Sequence, residues 1–386
     1  MSPATTVIHS ARLVTSGRVT DDSWVRFNGA VIAATGTGTP PNPVGSTMVD
    51  ASGRWLVPGF IDMHCHGGGG ASFDDGAEAI AAALAVHRTR GTTRTLLSLV
   101  SAPLSALRER LQVIAAYAAV DPLVLGAHLE GPFLARSHKG AHDPHVLRQP
   151  DRASVDSLLE AGGGQLRQVT LAPELPGAMD AIGQFTNVGV AVAIGHTAAG
   201  YAEARAAFDA GASILTHAFN GMQGLHHREP GPVAAATHSA DVTLEVINDG
   251  VHVHPEVVRI AFEAAPGRIA LVTDAMAAAG AADGSYLLGS LPVAVQDGVA
   301  RLRDGGSIAG STLTMDAALR FAVLEVGLPL ARAVQAVTEV PARAFALDDR
   351  LGSLAPGYAA DAVLLSDELQ VTGVWAAGNQ LLEVTA

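Results

Sequence analysis

Residues 55–66 read WLVPGFIDMHCH, an apolar run that ends in two histidines one residue apart. Side chains alternate faces along a strand, so His64 and His66 point to one side and Cys65 to the other. One metal ion can be held by such a pair, while Cys65 reads as a small buried hydrophobe. The glycines that follow, Gly67 to Gly70, lack the spacing and trailing lysine of a phosphate loop. They are read as letting the chain pass close to a bound ion.

Seven further apolar runs follow the same plan: TTRTLLSLV (92–100), LVLGAHLEGPF (123–133), QVTLAPE (168–174), VAVAIGHTAA (190–199), ASILTHAFN (212–220), VTLEVINDGVH (242–252) and RIALVTDAM (268–276). Ala-rich stretches with helical spacing separate them, as in DGAEAIAAALAVHRTRG at 75–91. Alternating strands and helices imply a parallel sheet of the α/β class, and eight strands close a (β/α)8 TIM barrel.

The two ends of the chain differ from this. Short apolar stretches and turns at the start, and GYAADAVLLSDELQVTGVWAAGNQLLEV at 357–384, predict strands. They are expected to form one small β-sandwich-like domain from residues 1–56 and 354–386, beside a barrel of residues 57–353. SYLLGSLPVAVQDGVARL (285–302) marks a short β insertion near 285–305, and helices are expected at about 312 to 346.

The formal net charge of −13 and the lack of a basic stripe argue against nucleic acid and anionic membrane surfaces as partners. No apolar run approaches the roughly 18 residues of a membrane span, and the first residues do not read as a signal peptide. The single cysteine precludes an internal disulfide. A cytoplasmic location is expected.

In such a barrel, reactive groups sit where strands end. Those ends carry His64 and His66, Glu130, His196, His217 and Asp274. The His64–His66 pair alone reads equally well as incidental polar residues, and His196 or His217 taken singly reads more readily as a satisfied polar group near a core than as a ligand. Together at one mouth they read as a metal site. Imidazoles and carboxylates without thiolate suit zinc or another borderline divalent ion, with a position left for water. Asp274, within LVTDAM, is then the proton shuttle to that water. No G-x-S-x-G elbow offers a serine nucleophile.

These segments in this order resemble the amidohydrolase superfamily and, within it, the N-acetylglucosamine-6-phosphate deacetylase family. PGFIDMHCHG (58–67), HLEGPF (128–133), KGAH (139–142), GHT (195–197), THAFNGM (216–222), INDGVH (247–252), TDAM (273–276) and AGST (309–312) carry the resemblance nearly end to end. It implies that Glu130, His196 and His217 bind the principal ion and that Asp274 is the catalytic acid and base. Members that keep both strand-one histidines bind two ions, so His64 and His66 imply one or two per subunit, two being favoured, with Glu130 as bridge. Sugar and phosphate contacts carry over to Ala141, His142, Asn220, Gly221, Arg228, His252, Ile308, Ala309 and Gly310. The HREPG arginine of the family can serve a neighbouring subunit, so Arg228 implies a homodimer.

The implied substrate is a phosphorylated amino sugar, N-acetyl-D-glucosamine 6-phosphate, cleaved to D-glucosamine 6-phosphate and acetate, with His142 helping to hold the oxyanion. His226, His227 and His254 read as peripheral, and Glu174 is left open as a residue behind the ligands. An alternative is a cyclic-amide hydrolase of the dihydroorotase or hydantoinase type. Those usually carry a modified lysine where this chain has Glu130. An inactive barrel acting as a scaffold predicts missing ligands, and every position is filled.

Overall fold

The computed structural model describes residues 5–384; the expectations for residues 1–4 and 385–386 lie outside that range. One eight-stranded sheet is built by both ends of the chain. Its N-terminal strands are Thr5–Thr15, Arg18–Asn28, Val31–Thr37, Thr47–Asp50 and Trp55–Pro58, and its C-terminal strands are Ala362–Leu365, Val371–Ala376 and Asn379–Leu382. The join is antiparallel, with Trp55–Pro58 paired to Ala362–Leu365. Phe27, Leu56, Leu364 and Trp375 pack in its core.

The second sheet is parallel and has the eight expected barrel strands in sequential order: Phe60–Cys65, Thr92–Val100, Val124–Glu130, Leu166–Leu171, Ala191–Ile194, Ile214–Leu215, Thr243–Ile247 and Ile269–Val272. TTRTLLSLV is buried at every position, as a parallel strand covered on both faces requires. Closure comes past the end of strand eight, where Ala275 bridges to Cys65 in parallel and Asp274 donates its N–H to the His64 carbonyl (2.8 Å). The seam of the barrel therefore brings His64, His66 and Asp274 together.

Two expectations need correction. WLVPGFIDMHCH is two strands in different sheets, separated at Gly59, where a Cβ would meet the Thr93 hydroxyl at 2.2 Å. The glycine run is a hairpin: Gly67–Gly68 pairs with Ala71–Ser72, and Gly69 and Gly70 (φ 62° and 87°) make the two-residue turn. Its N–H groups are donated to Ala275, Ala277 and Ala279, so it fastens the closing segment and does not line the mouth.

The β insertion is a three-stranded antiparallel sheet, Gly284–Leu288, Leu291–Gln296 and Val299–Leu302. Helices Met315–Leu324, Leu330–Val337 and Glu339–Ala344 follow it. Among the described residues, no helix is long and apolar enough to cross a membrane.

Candidate metal centre

His66, Glu130, His196, His217 and Asp274 line a cavity of about 320 Å³, and His64 is fully buried beside His66. The Nε2 atoms of His196 and His217 lie 3.0 Å apart, and both face Glu130 Oε1 at 3.0 and 3.1 Å. Their Nδ1 atoms are committed elsewhere, to the carbonyls of His138 (2.8 Å) and Asn220 (3.0 Å). A carbonyl only accepts, so each Nδ1 carries the proton and each Nε2 is a bare lone pair. Three acceptors thus face one another, which is unfavourable without a cation among them. Two nitrogens bound to one tetrahedral zinc stand about 3.3 Å apart, close to the spacing found.

A second group adjoins the first. The Nε2 atoms of His64 and His66 are 3.2 Å apart and lie 3.4 and 3.2 Å from Asp274 Oδ1. Glu130 Oε2 lies 3.2 Å from His66 Nε2, so the carboxylate presents one oxygen to the His196–His217 pair and the other to His66. Glu130 thus faces both histidine pairs. The buried His, Glu and Asp side chains are compatible with a divalent metal ion.

His142 is a different kind of histidine. Its Nδ1 accepts the Ser101 N–H (3.3 Å), which leaves the proton on Nε2, 3.2 Å from Glu130 Oε2. Burial lowers its pKa to about 4, more than Glu130 can restore. It is a neutral donor aimed into the cavity.

Charge at the site follows from the crowding. Burial opposes ionisation of Glu130, yet His64 and His142 outweigh it and hold the carboxyl well below its usual range. Burial likewise pushes Asp274 up, but His64 and His66 bring it below its ordinary value. Burial also works against charge on His66, and hydrogen bonds to Asp274 and Glu130 overcome it, raising the pKa to about 10. Without an ion, the carboxylates recruit protons onto these rings. A metal ion supplies the same positive charge.

Ala141, Asn220, Gly221, His252, Ile308 and Gly310 line the same cavity. Gly221 adopts φ 62°, and a Cβ there would press on the His196 ring at 3.0 Å. His252 is held by Asp249, whose Oδ2 lies 2.6 Å from Nδ1. Two expected contacts lie off the wall. Ala309 is buried with its N–H already donated to Ala300, and Arg228 sits on an exposed loop. No arginine or lysine lines the cavity among the described residues. His226 and His227 are exposed on the Arg228 loop, and His254 caps a helix by accepting the Glu256 N–H. Glu174 holds the turn after His196 by accepting from Thr197 and Ala198. Cys65 is buried and does not line the cavity.

The structure adds residues that the strand-end reading passed over. Ser101 fixes the His142 tautomer. Glu245, Gln168 and His128 form a buried polar layer beneath the histidine and carboxylate cluster, with Glu245 2.9 Å from His64 Nδ1 and 2.9 Å from Gln168 Nε2. A glutamate inside the apolar run VTLEVI was the available signal, because a carboxylate there must have partners. The chain's single lysine, Lys139, turns its Nζ to the carbonyls of Gly140 and His142 and does not line the cavity.

Known proteins resemble the chain along nearly its whole length. The model of the amidohydrolase family matches residues 55–381. The N-acetylgalactosamine-6-phosphate deacetylase of Escherichia coli O157:H7 is 42% identical over 97% of this chain and 99% of its own. The N-acetylglucosamine-6-phosphate deacetylase of Vibrio furnissii is 35% identical over 85% of this chain and 83% of its own. The crystal structure of N-acetyl-D-glucosamine-6-phosphate deacetylase from Mycobacterium smegmatis, 40% identical, superposes with a TM-score of 0.92 over 98% of this chain and 100% of that one. The chain belongs to the amidohydrolase family, in its N-acetylglucosamine-6-phosphate deacetylase branch.

Proposed function

We propose that the protein hydrolyses N-acetyl-D-glucosamine 6-phosphate to D-glucosamine 6-phosphate and acetate. The observation that carries the chemistry is the set of facing bare acceptors, His196 Nε2, His217 Nε2 and Glu130 Oε1, within 3.1 Å of one another. Relatives named for this reaction support the substrate.

We infer a zinc ion at Glu130, His196 and His217, and a second at His64 and His66 with Glu130 shared. When bound, such ions acidify water and polarise an amide carbonyl. Asp274 accepts the proton of the attacking water as its oxygen bonds to the acetyl carbon. The His142 Nε2–H donates to the carbonyl oxygen as that atom gains charge. Asp274 then passes its proton to the nitrogen as the C–N bond breaks, so one carboxyl serves as base and then acid.

Ala141, Asn220, Gly221, His252, Ile308 and Gly310 are assigned to hold the sugar phosphate. Arg228 is assigned to a neighbouring subunit's site, in a cytoplasmic homodimer. Because no arginine or lysine lines the cavity among the described residues, phosphate recognition is assigned to backbone N–H groups and this donated arginine.

The 42% identical relative favours a second reading, in which the substrate is the galactosamine epimer, differing in configuration at C4. Acetate release from the two sugar phosphates, compared by kcat/KM, tests both. A higher value for the glucosamine compound is expected. The reverse order establishes the second reading, and release from neither overturns the deacetylase assignment.

A further inference from the structure

We infer that Glu245 is a positioning residue that makes His64 a metal ligand and ties the two halves of the centre to one carboxylate oxygen. This rests on the two-ion reading above.

Glu245 lies in the seventh barrel strand, Thr243–Ile247, and is fully buried. Ile247 lines the cavity, and strand alternation places Glu245 on the same face one layer deeper. An aliphatic side chain would fill that position at no electrostatic cost, whereas a buried carboxylate demands donors.

It has three. Oε1 accepts from Gln168 Nε2 (2.9 Å), and Oε2 accepts from the His64 ring at Nδ1 (2.9 Å) and from the His217 backbone N–H (3.2 Å). With its Nδ1 proton directed at Glu245, His64 keeps a bare Nε2, aimed at the space between His66, Glu130 and Asp274. The opposite tautomer would set a nitrogen lone pair against a carboxylate oxygen at 2.9 Å.

His66 lacks such a support. Its Nδ1 meets no hydrogen-bond partner among the described residues, although the residue is buried. Of the strand-one pair, only His64 is therefore held from behind its metal-facing nitrogen, and Glu245 is the group that holds it. The same Oε2 holds the backbone of His217, a ligand of the other ion, at φ 26°. One oxygen thus anchors a ligand of each ion.

The test is metal binding, independent of turnover. Glu245→Gln keeps the shape and one acceptor oxygen, and its amide can face the Gln168 oxygen, which has no hydrogen-bond partner among the described residues. Apo-protein is titrated with Zn2+ and bound metal per subunit is measured after equilibrium dialysis, for wild type, Glu245→Gln, His64→Ala and the double variant. Melting of each apo-protein reports folding.

Two ions are expected in wild type. In Glu245→Gln the second ion is expected to bind about 10- to 100-fold more weakly, with the first retained. In the His64→Ala background, Glu245→Gln is expected to add nothing to the loss at the second site, because its effect there passes through His64. Equal affinity for both ions in wild type and Glu245→Gln overturns the inference alone, as does an undiminished effect in the double variant. A wild type that never takes more than one ion overturns the two-ion reading together with it.

Discussion

Residues other than glycine adopt positive φ in both sheets, for different ends. In the terminal sheet Ser16 (φ 50°) and Ala377 (φ 46°) each precede a glycine in a two-residue hairpin turn. At the barrel mouth the residues are His196 (φ 47°), His217 (φ 26°) and Asp274 (φ 47°). A left-handed conformation costs an L-residue about 1–2 kcal/mol in either place. In the hairpins the conformation serves the turn and the side chain is incidental. At the mouth the side chain is the purpose, and the backbone is held by bonds on both sides: Asp274 donates to His64 and accepts from Ser311, and His217 donates to Glu245. Strain is kept where it directs a reactive group off the strand and into the cavity.

Among variants that keep the ions, the largest effect is expected from Asp274→Asn, which preserves shape and removes the proton acceptor. Turnover should fall by about 10²- to 10⁴-fold, the usual worth of general acid–base catalysis, with metal content retained. Acetate release and metal analysis on the same sample check this. Turnover near wild type would mean that the strained carboxyl is not held for proton transfer.

The next effect separates the two kinds of histidine. His142→Gln should lower kcat by about 10²- to 10³-fold, as loss of an oxyanion donor does, and leave the ions in place. His196→Asn should release the principal ion and abolish activity with it. If instead His142→Gln loses metal, the tautomer assigned through Ser101 is wrong and His142 is a ligand.

The sequence showed the fold and half of this chemistry because both are local. Apolar runs separated by helical segments predict the eight strands, and a polar residue at the end of each run can be read without knowing its neighbours. Relations across the barrel are not local. Glu245 sits mid-strand, 181 residues from the ring that it orients, and Ser101 is 41 residues from the ring whose tautomer it sets. The glycine run misled for a similar reason: nothing in GGGG reveals that its N–H groups meet the carbonyls of Ala275, Ala277 and Ala279.

A smaller effect is expected behind the substrate contact. Burial raises the Asp249 carboxyl, but hydrogen bonds from the His252 ring and backbone and from Val251 bring it below its ordinary value. A depressed carboxyl adds stability that is present above its unfolded value, about pH 4, and is lost as pH falls through the folded value. Asp249→Ala should therefore melt below wild type at neutral pH, by a margin that shrinks as the pH drops below about 4. It should also raise KM more than it lowers kcat, since His252 loses its orientation. Melting curves across pH and steady-state kinetics check the two parts, and a margin independent of pH would remove Asp249 as the source.

The smallest effect is the sharpest test of the comparison. Ala377 donates its N–H to Asp361 (2.7 Å), a bond that does not depend on the side chain. Ala377→Gly removes the left-handed penalty of a β-carbon and adds chain entropy to the unfolded state, so the two partly cancel. A gain of about 0.5 kcal/mol is expected, with kcat and KM unchanged. Denaturant unfolding resolves a difference of that size. The same replacement at Asp274 relieves the same backbone penalty, and there any gain in stability must come with loss of turnover. A hairpin variant that lost activity, or a glycine at 274 that kept it, would show that the two regions do not use the conformation differently.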